Sequence, residues 1–302
     1  MFHLAWGPEK LEAEKSIAPL LGYLEKIFIQ LKDHFLHTIY QKLVKAAWIK
    51  ILEEYSSTTT KNIREKPCFY RNLFLSLSIL TEFFLGEIAM LPLEQVQCQI
   101  YKNVEREVRI QQSDTLPLIE YYHSSRIDEQ FNSREAPLGY LTVKASYNPK
   151  KATLFVEVMD ARGLLPCDPN GLSDPFVIMQ LVPKHLFPNS PIQKTSIHMK
   201  TLNPIFMETF EWSVSLEQFQ NRGASISFVV MDYDYMRKND FEGEGYYPLH
   251  RIKNAAEDAT TPEPLELILT CPNLKSDILL TLAKRTWDKD AMKLVTAERK
   301  KS

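Results

Sequence analysis

The chain has 302 residues, which is room for one large domain or two ordinary ones. Its 44% hydrophobic and 25% charged residues give each half material for a core and exclude a disordered tail. A formal charge of −2 excludes a globally basic nucleic-acid binder, but not a membrane binder, whose contact depends on local patches.

The four cysteines, Cys68, Cys98, Cys167 and Cys271, are scattered without metal-ligand spacing and read as free thiols of an intracellular protein. The start, Met1 to Pro8, has no basic leader followed by an apolar stretch, so no signal peptide is expected. The most apolar run, Leu73 to Leu85, is interrupted by Glu82 and two serines and reads as a buried helix too short to span a bilayer. A soluble, cytoplasmic protein is expected.

From Ile17 to Tyr55 apolar residues recur at three- and four-residue steps, including Leu24, Phe28, Leu31, Phe35, Leu43 and Leu52. Such steps return to one face of a helix, so one long helix is predicted, capped by Ser16 and ended by Ser56 to Thr60. Further helices are predicted at Tyr70–Leu85, Leu93–Gln111 and Asp114–Phe131. Their stripes imply core packing in an antiparallel α-helical bundle over residues 1–132.

Residues 133–138, with Ser133 and Pro137 and with Gly139 just after, read as a linker. Beyond it the period becomes two. Tyr140 to Tyr147 alternates, Asn148-Pro149-Lys150-Lys151 turns, and Thr153 to Asp160 alternates again. Further strands are predicted at Pro175–Val182, Gln193–His198, Glu208–Ser213, Ser225–Met231, Gly243–Pro248 and Ile278–Ala283. Eight short strands with turns between them make an antiparallel β-sandwich over residues 139–302. The fold class is therefore multi-domain α + β.

Five aspartates fall at strand ends. Asp168 and Asp174 lie in the connection after the second strand, and Asp232, Asp234 and Asp240 in the connection after Ser225–Met231. Singly, each reads as a turn or cap residue, since aspartate favours such places. Together they would repel one another severely without a cation between them. Calcium, a hard ion wanting six to eight oxygens, suits such a set. In Asp232-Tyr233-Asp234 the alternate spacing sends two carboxylates to one side with the Tyr233 carbonyl between them.

Ser173-Asp174-Pro175-Phe176-Val177, Lys200-Thr201-Leu202-Asn203-Pro204-Ile205-Phe206 and Met231-Asp232-Tyr233-Asp234 resemble the hallmark segments of synaptotagmin-type C2 domains. The resemblance implies that Asp168, Asp174, Asp232, Asp234 and Asp240, with the carbonyls of Cys167 and Tyr233, hold two or three Ca2+ ions. It also implies that Tyr235, Met236, Arg237 and Lys238, at the tip of the third loop, meet an anionic phospholipid membrane. Lys184, His185, Lys194, His198 and Lys200 offer a thinner basic patch, which reads as a solvated strand face.

The helical half is similar to the end of the helical MUN region of the unc-13 vesicle-priming family, in its non-neuronal branch. This rests on Pro19 to Leu24, Asp114 to Tyr122 with Ser125-Arg126-Ile127, Gly139 to Tyr147, and Asp277 to Leu282 followed by Arg285 to Asp288. Implied are calcium-dependent phospholipid binding in docking or priming for SNARE-mediated exocytosis, and peripheral attachment to vesicle or plasma membrane. SNARE proteins or a small GTPase are the implied partners of the helices. The earlier MUN rod and an upstream C2 domain are not in this sequence, which reads as a fragment or a truncated product. No phosphate loop, Gly-x-Ser-x-Gly elbow or His-Glu zinc pairing is present, and the seven histidines are dispersed, so no enzyme is expected. The rival reading is a calcium-independent adaptor whose bundle binds a trafficking partner.

Overall fold

The computed structural model describes residues 13–61, 65–235, 237–252 and 262–301. The chain forms two compact units that divide between Asp114 and Thr115.

The first unit is helical: α1 (Ala13–His34), α2 (His37–Lys61), α3 (Pro67–Leu85), the short α4 (Leu93–Val96) and α5 (Gln99–Gln111). Its core is one stripe per helix, with Ile17, Leu24 and Phe28 of α1 meeting Tyr40, Val44, Trp48 and Leu52 of α2 and Leu73, Leu77, Leu80 and Phe84 of α3. The buried polar tips of the aromatics find partners, as burial demands. The Trp48 Nε1–H donates to the Val96 carbonyl at 2.9 Å, and the Tyr55 hydroxyl lies 2.7 Å from Ser76 Oγ.

The single long helix expected from Ile17 to Tyr55 is two helices, broken at Phe35 and Leu36. At the break the His34 ring lies 2.7 Å from the Gln30 carbonyl. Ser16 lies inside α1 rather than capping it. The hydroxyl run does not end α2: Thr58, Thr59 and Thr60 donate to the carbonyls of Glu54 and Ser56, and the helix continues to Lys61. α3 has the length and apolarity to cross a membrane, but Leu73, Leu77, Leu80 and Phe84 are buried in the helical core.

The second unit holds α6 (Thr115–Asn132) and two four-stranded antiparallel sheets. One sheet has the order β5-β2-β1-β8, with β1 Tyr140–Asn148, β2 Thr153–Arg162, β5 Ile205–Ser213 and β8 Leu265–Ile268. The other has the order β4-β3-β6-β7, with β3 Pro175–Val182, β4 Gln193–Lys194, β6 Ser225–Asp232 and β7 Asp240–Pro248. A short helix, α7 (Leu216–Gln220), precedes β6, and α8 (Asp277–Lys284) and α9 (Lys289–Arg299) follow the sandwich. Alternation does the building: Leu141, Val143, Ala145 and Tyr147 of β1 point inward to meet Val156, Val177, Phe228 and Trp212.

Two strand expectations are corrected. Ile278–Ala283 is not a strand but lies in α8, because Ser276 accepts the Leu279 amide at 3.1 Å as an N-cap and buries Ile278, Leu279 and Leu282 at helical spacing. The eighth strand is Leu265–Ile268, paired with Tyr140–Val143. Gln193–His198 pairs only over Gln193–Lys194. Beyond that the chain is lashed to β3 through the Thr195 and His198 amides, which donate to the carbonyls of Val177 and Pro175.

The division of the chain also falls earlier than the linker at 133–138. α6, expected in the bundle, packs on β7 and on α8 and α9 through a mixed face, in which Ile127 meets Tyr246 and polar side chains make the directed contacts. Arg126 Nη2 bonds Glu244 at 3.0 Å, the Gln130 side chain bonds both the amide and the carbonyl of Tyr246, and the Tyr122 hydroxyl donates to Glu298 at 2.8 Å.

Gly139 opens β1 at φ +89°, and a Cβ there would lie 2.5 Å from the Arg162 carbonyl oxygen. Gly139→Ala is therefore expected to destabilise the second unit by at least about 2 kcal/mol, read as a lowered denaturant midpoint. His123 on α6 is buried, and its Nδ1 has no partner among the described residues. Burial first, and then the Lys301 ammonium, push its pKa down to about 3. The unfolded chain binds that proton near the ordinary value of 6.5 and the folded chain does not. Stability from this residue is therefore complete above about pH 6.5 and lost toward pH 3, at up to about 1.4 kcal/mol per pH unit. Urea unfolding at about pH 7 and about pH 5 checks this: the midpoint should fall further in the wild type than in His123→Gln.

Candidate metal centre

Three connections meet at one pole of the sandwich: residues 163–174 after β2, 195–204 before β5, and 233–239 between β6 and β7. Sheet register sets three of the five aspartates side by side. Asp174 immediately precedes β3, Pro175 pairs with Asp232, and Asp232 pairs with Asp240. The first loop is bent by a turn in which Asn170 Oδ1 accepts the Leu172 amide at 2.8 Å and the Gly171 amide donates to the Asp168 carbonyl at 3.0 Å. The third loop is held where Asn239 Oδ1 accepts the Asp234 amide at 3.2 Å, and by the Tyr233 amide, which donates to the Asp174 carbonyl at 3.0 Å.

The carboxylates feel one another. Asp232 is buried, and its pKa is raised, first by that burial and then by the negative charges of Asp168, Asp174 and Asp234, against the bond it accepts from the Asp174 amide. The Cys167 thiol is pushed up to about 11, by burial and then Glu242, with Asp232 and Asp240 adding. Among the described residues none of the five aspartates forms an ion pair with Lys, Arg or His. The donor set is hard oxygen throughout, which is the chemistry calcium takes. Gathering into a cage is another matter. Among the described residues no three His, Cys, Asp or Glu side chains stand close enough together to hold an ion. One oxygen of Asp232 accepts the Asp174 amide at 2.6 Å, and one of Asp174 accepts the Lys200 amide at 2.6 Å. The donor types fit the ion; the arrangement is not preformed.

Of the residues expected to meet lipid, Tyr235 is 87% exposed and Arg237 and Lys238 are exposed; Met236 lies outside the described residues. Lys238 Nζ lies 3.3 Å from the Lys300 carbonyl just past α9. The thin basic patch is dispersed: His185 faces Glu120 of α6 at 2.7 Å, and Lys184 bonds the Ser190 carbonyl.

Glu242 is a residue that sequence reasoning missed. It is buried, accepts the Ser173 hydroxyl, and has its second oxygen unpartnered among the described residues. Burial, with Asp232 adding, pushes it up to about 7 against the Ser173 bond. The sequence carries no signal for it, since it lies inside β7 at a break in the β6–β7 register, where alternation fails.

A family model of the C2 domain matches residues 152–264, and with the two four-stranded sheets this makes the sandwich a C2 domain. The chain as a whole is unc-13-like. It is 35% identical to mouse (Mus musculus) BAI1-associated protein 3 over 254 residues, 84% of this chain and 22% of that protein. It is 31% identical to human (Homo sapiens) unc-13 homolog D over 294 residues, 96% of this chain and 27% of that protein. It is also 33% identical to human (Homo sapiens) synaptotagmin-10 across 146 residues, 47% of this chain and 26% of that protein. The chain thus spans about a quarter of the length of these relatives.

Proposed function

We propose that the chain is a non-catalytic membrane-trafficking module, cytoplasmic and peripheral, whose C2 domain binds anionic phospholipid in response to calcium during vesicle docking or priming for exocytosis. The observation that carries this reading is the pole itself. Five carboxylates from two loops are brought to one end of a sandwich, with no cationic side chain among the described residues paired to any of them. The likeness to unc-13 homolog D supports the trafficking context.

The aspartates Asp168, Asp174, Asp232, Asp234 and Asp240 would hold two or three Ca2+ ions, with carbonyls of Cys167 and Tyr233 as further donors. Bound calcium would supply positive charge at the pole and open coordination positions for lipid phosphate oxygens. With the carboxylates uncompensated, the pole repels an anionic leaflet. Tyr235, Arg237 and Lys238 stand outside the acidic ring, where an aromatic ring and two cations can enter the headgroup layer. The helical unit is the part we assign to protein partners, SNARE proteins or a small GTPase.

The second reading, a calcium-independent adaptor, draws on the backbone amides already bonded by Asp174 and Asp232, a structural use of both side chains. Co-sedimentation with phosphatidylserine vesicles separates the two. Binding in calcium that is lost in chelator supports the calcium sensor; equal binding in both supports the adaptor.

A further inference from the structure

The second sheet turns only one of its faces into the sandwich. Met179 and Leu181 of β3, Ile226 and Phe228 of β6 and Tyr247 of β7 belong to the sandwich core. Their alternates therefore face outward, and register sets three of them in one row across the sheet: Gln180 pairs with Ser227, and Ser227 with Tyr246. Two helices of the same unit flank that row. α6 packs on β7, where the ring centroids of His123 and Tyr246 are 6.1 Å apart. α9 packs against α6 and is held by Glu298, which accepts the Tyr122 hydroxyl and the Lys301 ammonium. The middle of the row is only a serine, and a cleft of about 560 Å³ opens between the sheet and the two helices. Protein interiors hold few voids larger than a water molecule, so a cleft of this size is not a packing defect.

The lining is that of a small-molecule site, mostly apolar with a few polar groups. Ile119 of α6, Val182 of β3 and Leu294 and Ala297 of α9 supply apolar walls. Ser227 and His123, also in the lining, are 1% and 4% exposed, and the Ser227 hydroxyl and His123 Nδ1 have no hydrogen-bond partner among the described residues. Both groups are neutral, because burial and the Lys301 ammonium hold His123 uncharged. The ions around the cleft are engaged and of both signs. Lys184 bonds the Ser190 carbonyl, His185 faces Glu120, Lys293 lies 3.4 Å from Asp290, and Lys301 joins Glu244 and Glu298. A charged ligand entering here gives up its hydration for neutral dipoles and apolar walls, which is costly. A hydroxyl both donates and accepts, so it suits Ser227 and either tautomer of His123.

We propose that this cleft binds a small uncharged molecule with an apolar ring system and one hydroxyl, its rings between the sheet and the two helices and its hydroxyl toward Ser227 and His123. The site goes beyond the calcium and membrane reading and does not depend on it. β3 leaves the acidic pole at Pro175, and Gln180 lies five residues further along, roughly 17 Å away. Two substitutions probe the cleft without removing a contact that the fold uses. Ala297→Trp crowds the cleft from an exposed position on α9, and Ser227→Ala removes a hydroxyl that has no partner among the described residues. Leu280→Trp is the control, since Leu280 is exposed on α8 and outside the lining.

The probe is 2-naphthol, uncharged at neutral pH, with 2-naphthoate as its charged counterpart. The full chain in chelator is titrated with each by calorimetry, and thermal melts confirm that each variant folds. The expected result is saturable one-to-one binding of 2-naphthol, with 2-naphthoate at least about tenfold weaker. Affinity for 2-naphthol should fall at least about tenfold in Ala297→Trp and about threefold in Ser227→Ala, and hold in Leu280→Trp. No saturable binding of 2-naphthol up to about 1 mM overturns the site, as does wild-type affinity in Ala297→Trp or an equal loss in Leu280→Trp. Wild-type affinity in Ser227→Ala, or 2-naphthoate bound as tightly as 2-naphthol, overturns the ligand chemistry proposed for it.

Discussion

Arg126→Ala is expected to destabilise the second unit by about 3–5 kcal/mol, the loss typical when one partner of a buried ion pair is removed. Arg126 is buried on α6, and its guanidinium bonds Glu244 Oε1 at 3.0 Å, Thr270 Oγ1 at 2.8 Å and the Cys271 carbonyl at 2.5 Å. Glu244 is itself fully buried, and its other oxygen takes the Lys301 ammonium at 2.7 Å. Lys301 in turn bonds Glu298, which accepts the Tyr122 hydroxyl. Truncation at Arg126 leaves a carboxylate inside the protein with one cation instead of two, and strands the Cys271 carbonyl. Chemical unfolding should show the loss, and hydrogen exchange should show α6 opening ahead of the sheets. Replacing both partners, with Arg126→Met and Glu244→Leu together, should cost much less than Arg126→Ala, because no buried charge then stands unpaired on that side. Equal costs would mean that the network matters only through packing.

The second large effect is on binding rather than folding. Asp232→Asn with Asp234→Asn is expected to abolish calcium-triggered vesicle binding, raising the calcium requirement by at least about a hundredfold. Both substitutions keep shape and an oxygen acceptor, so the carboxamide introduced at position 232 can still accept the Asp174 amide. Asp232 is charged at a cost in the fold, since its pKa is raised by burial and by three neighbouring carboxylates. Neutralising it relieves that repulsion, and the melting temperature without calcium should hold or rise. A variant that keeps a normal calcium response would remove these two residues from the ligand set.

Much of the sandwich is legible in the sequence because one face of each strand is buried, and period-two alternation records that fact directly in Leu141, Val143, Ala145 and Tyr147. Where both periods fit, the pattern fails. Ile-Leu-Leu-Thr-Leu-Ala at 278–283 is too short and too uniformly apolar to separate strand from helix, and the Ser276 cap decides it. The four-residue β8 leaves hardly any period to read. α6 reads as part of the bundle because its buried stripe, Leu118, Ile119, Tyr122 and Ile127, has helical spacing that fits a bundle as well as a sheet, and nothing in the sequence shows that Arg126, Gln130 and His123 face β7. The aspartates stand out because carboxylates at strand ends are conspicuous, whereas Glu242 lies inside β7 and only its burial reveals it. Exposure of Met199, Ile205 and Met207 is likewise invisible in the sequence, where they resemble core residues.

The proposed function requires that calcium be held among these carboxylates and that lipid tighten the hold. Calorimetric titration of the full chain with calcium, alone and with phosphatidylserine vesicles, measures both. Weak binding alone, with a dissociation constant on the order of 10–1,000 μM, and clear tightening with vesicles is the predicted result. An absence of calcium-dependent heat in both titrations, from a folded protein, would contradict it.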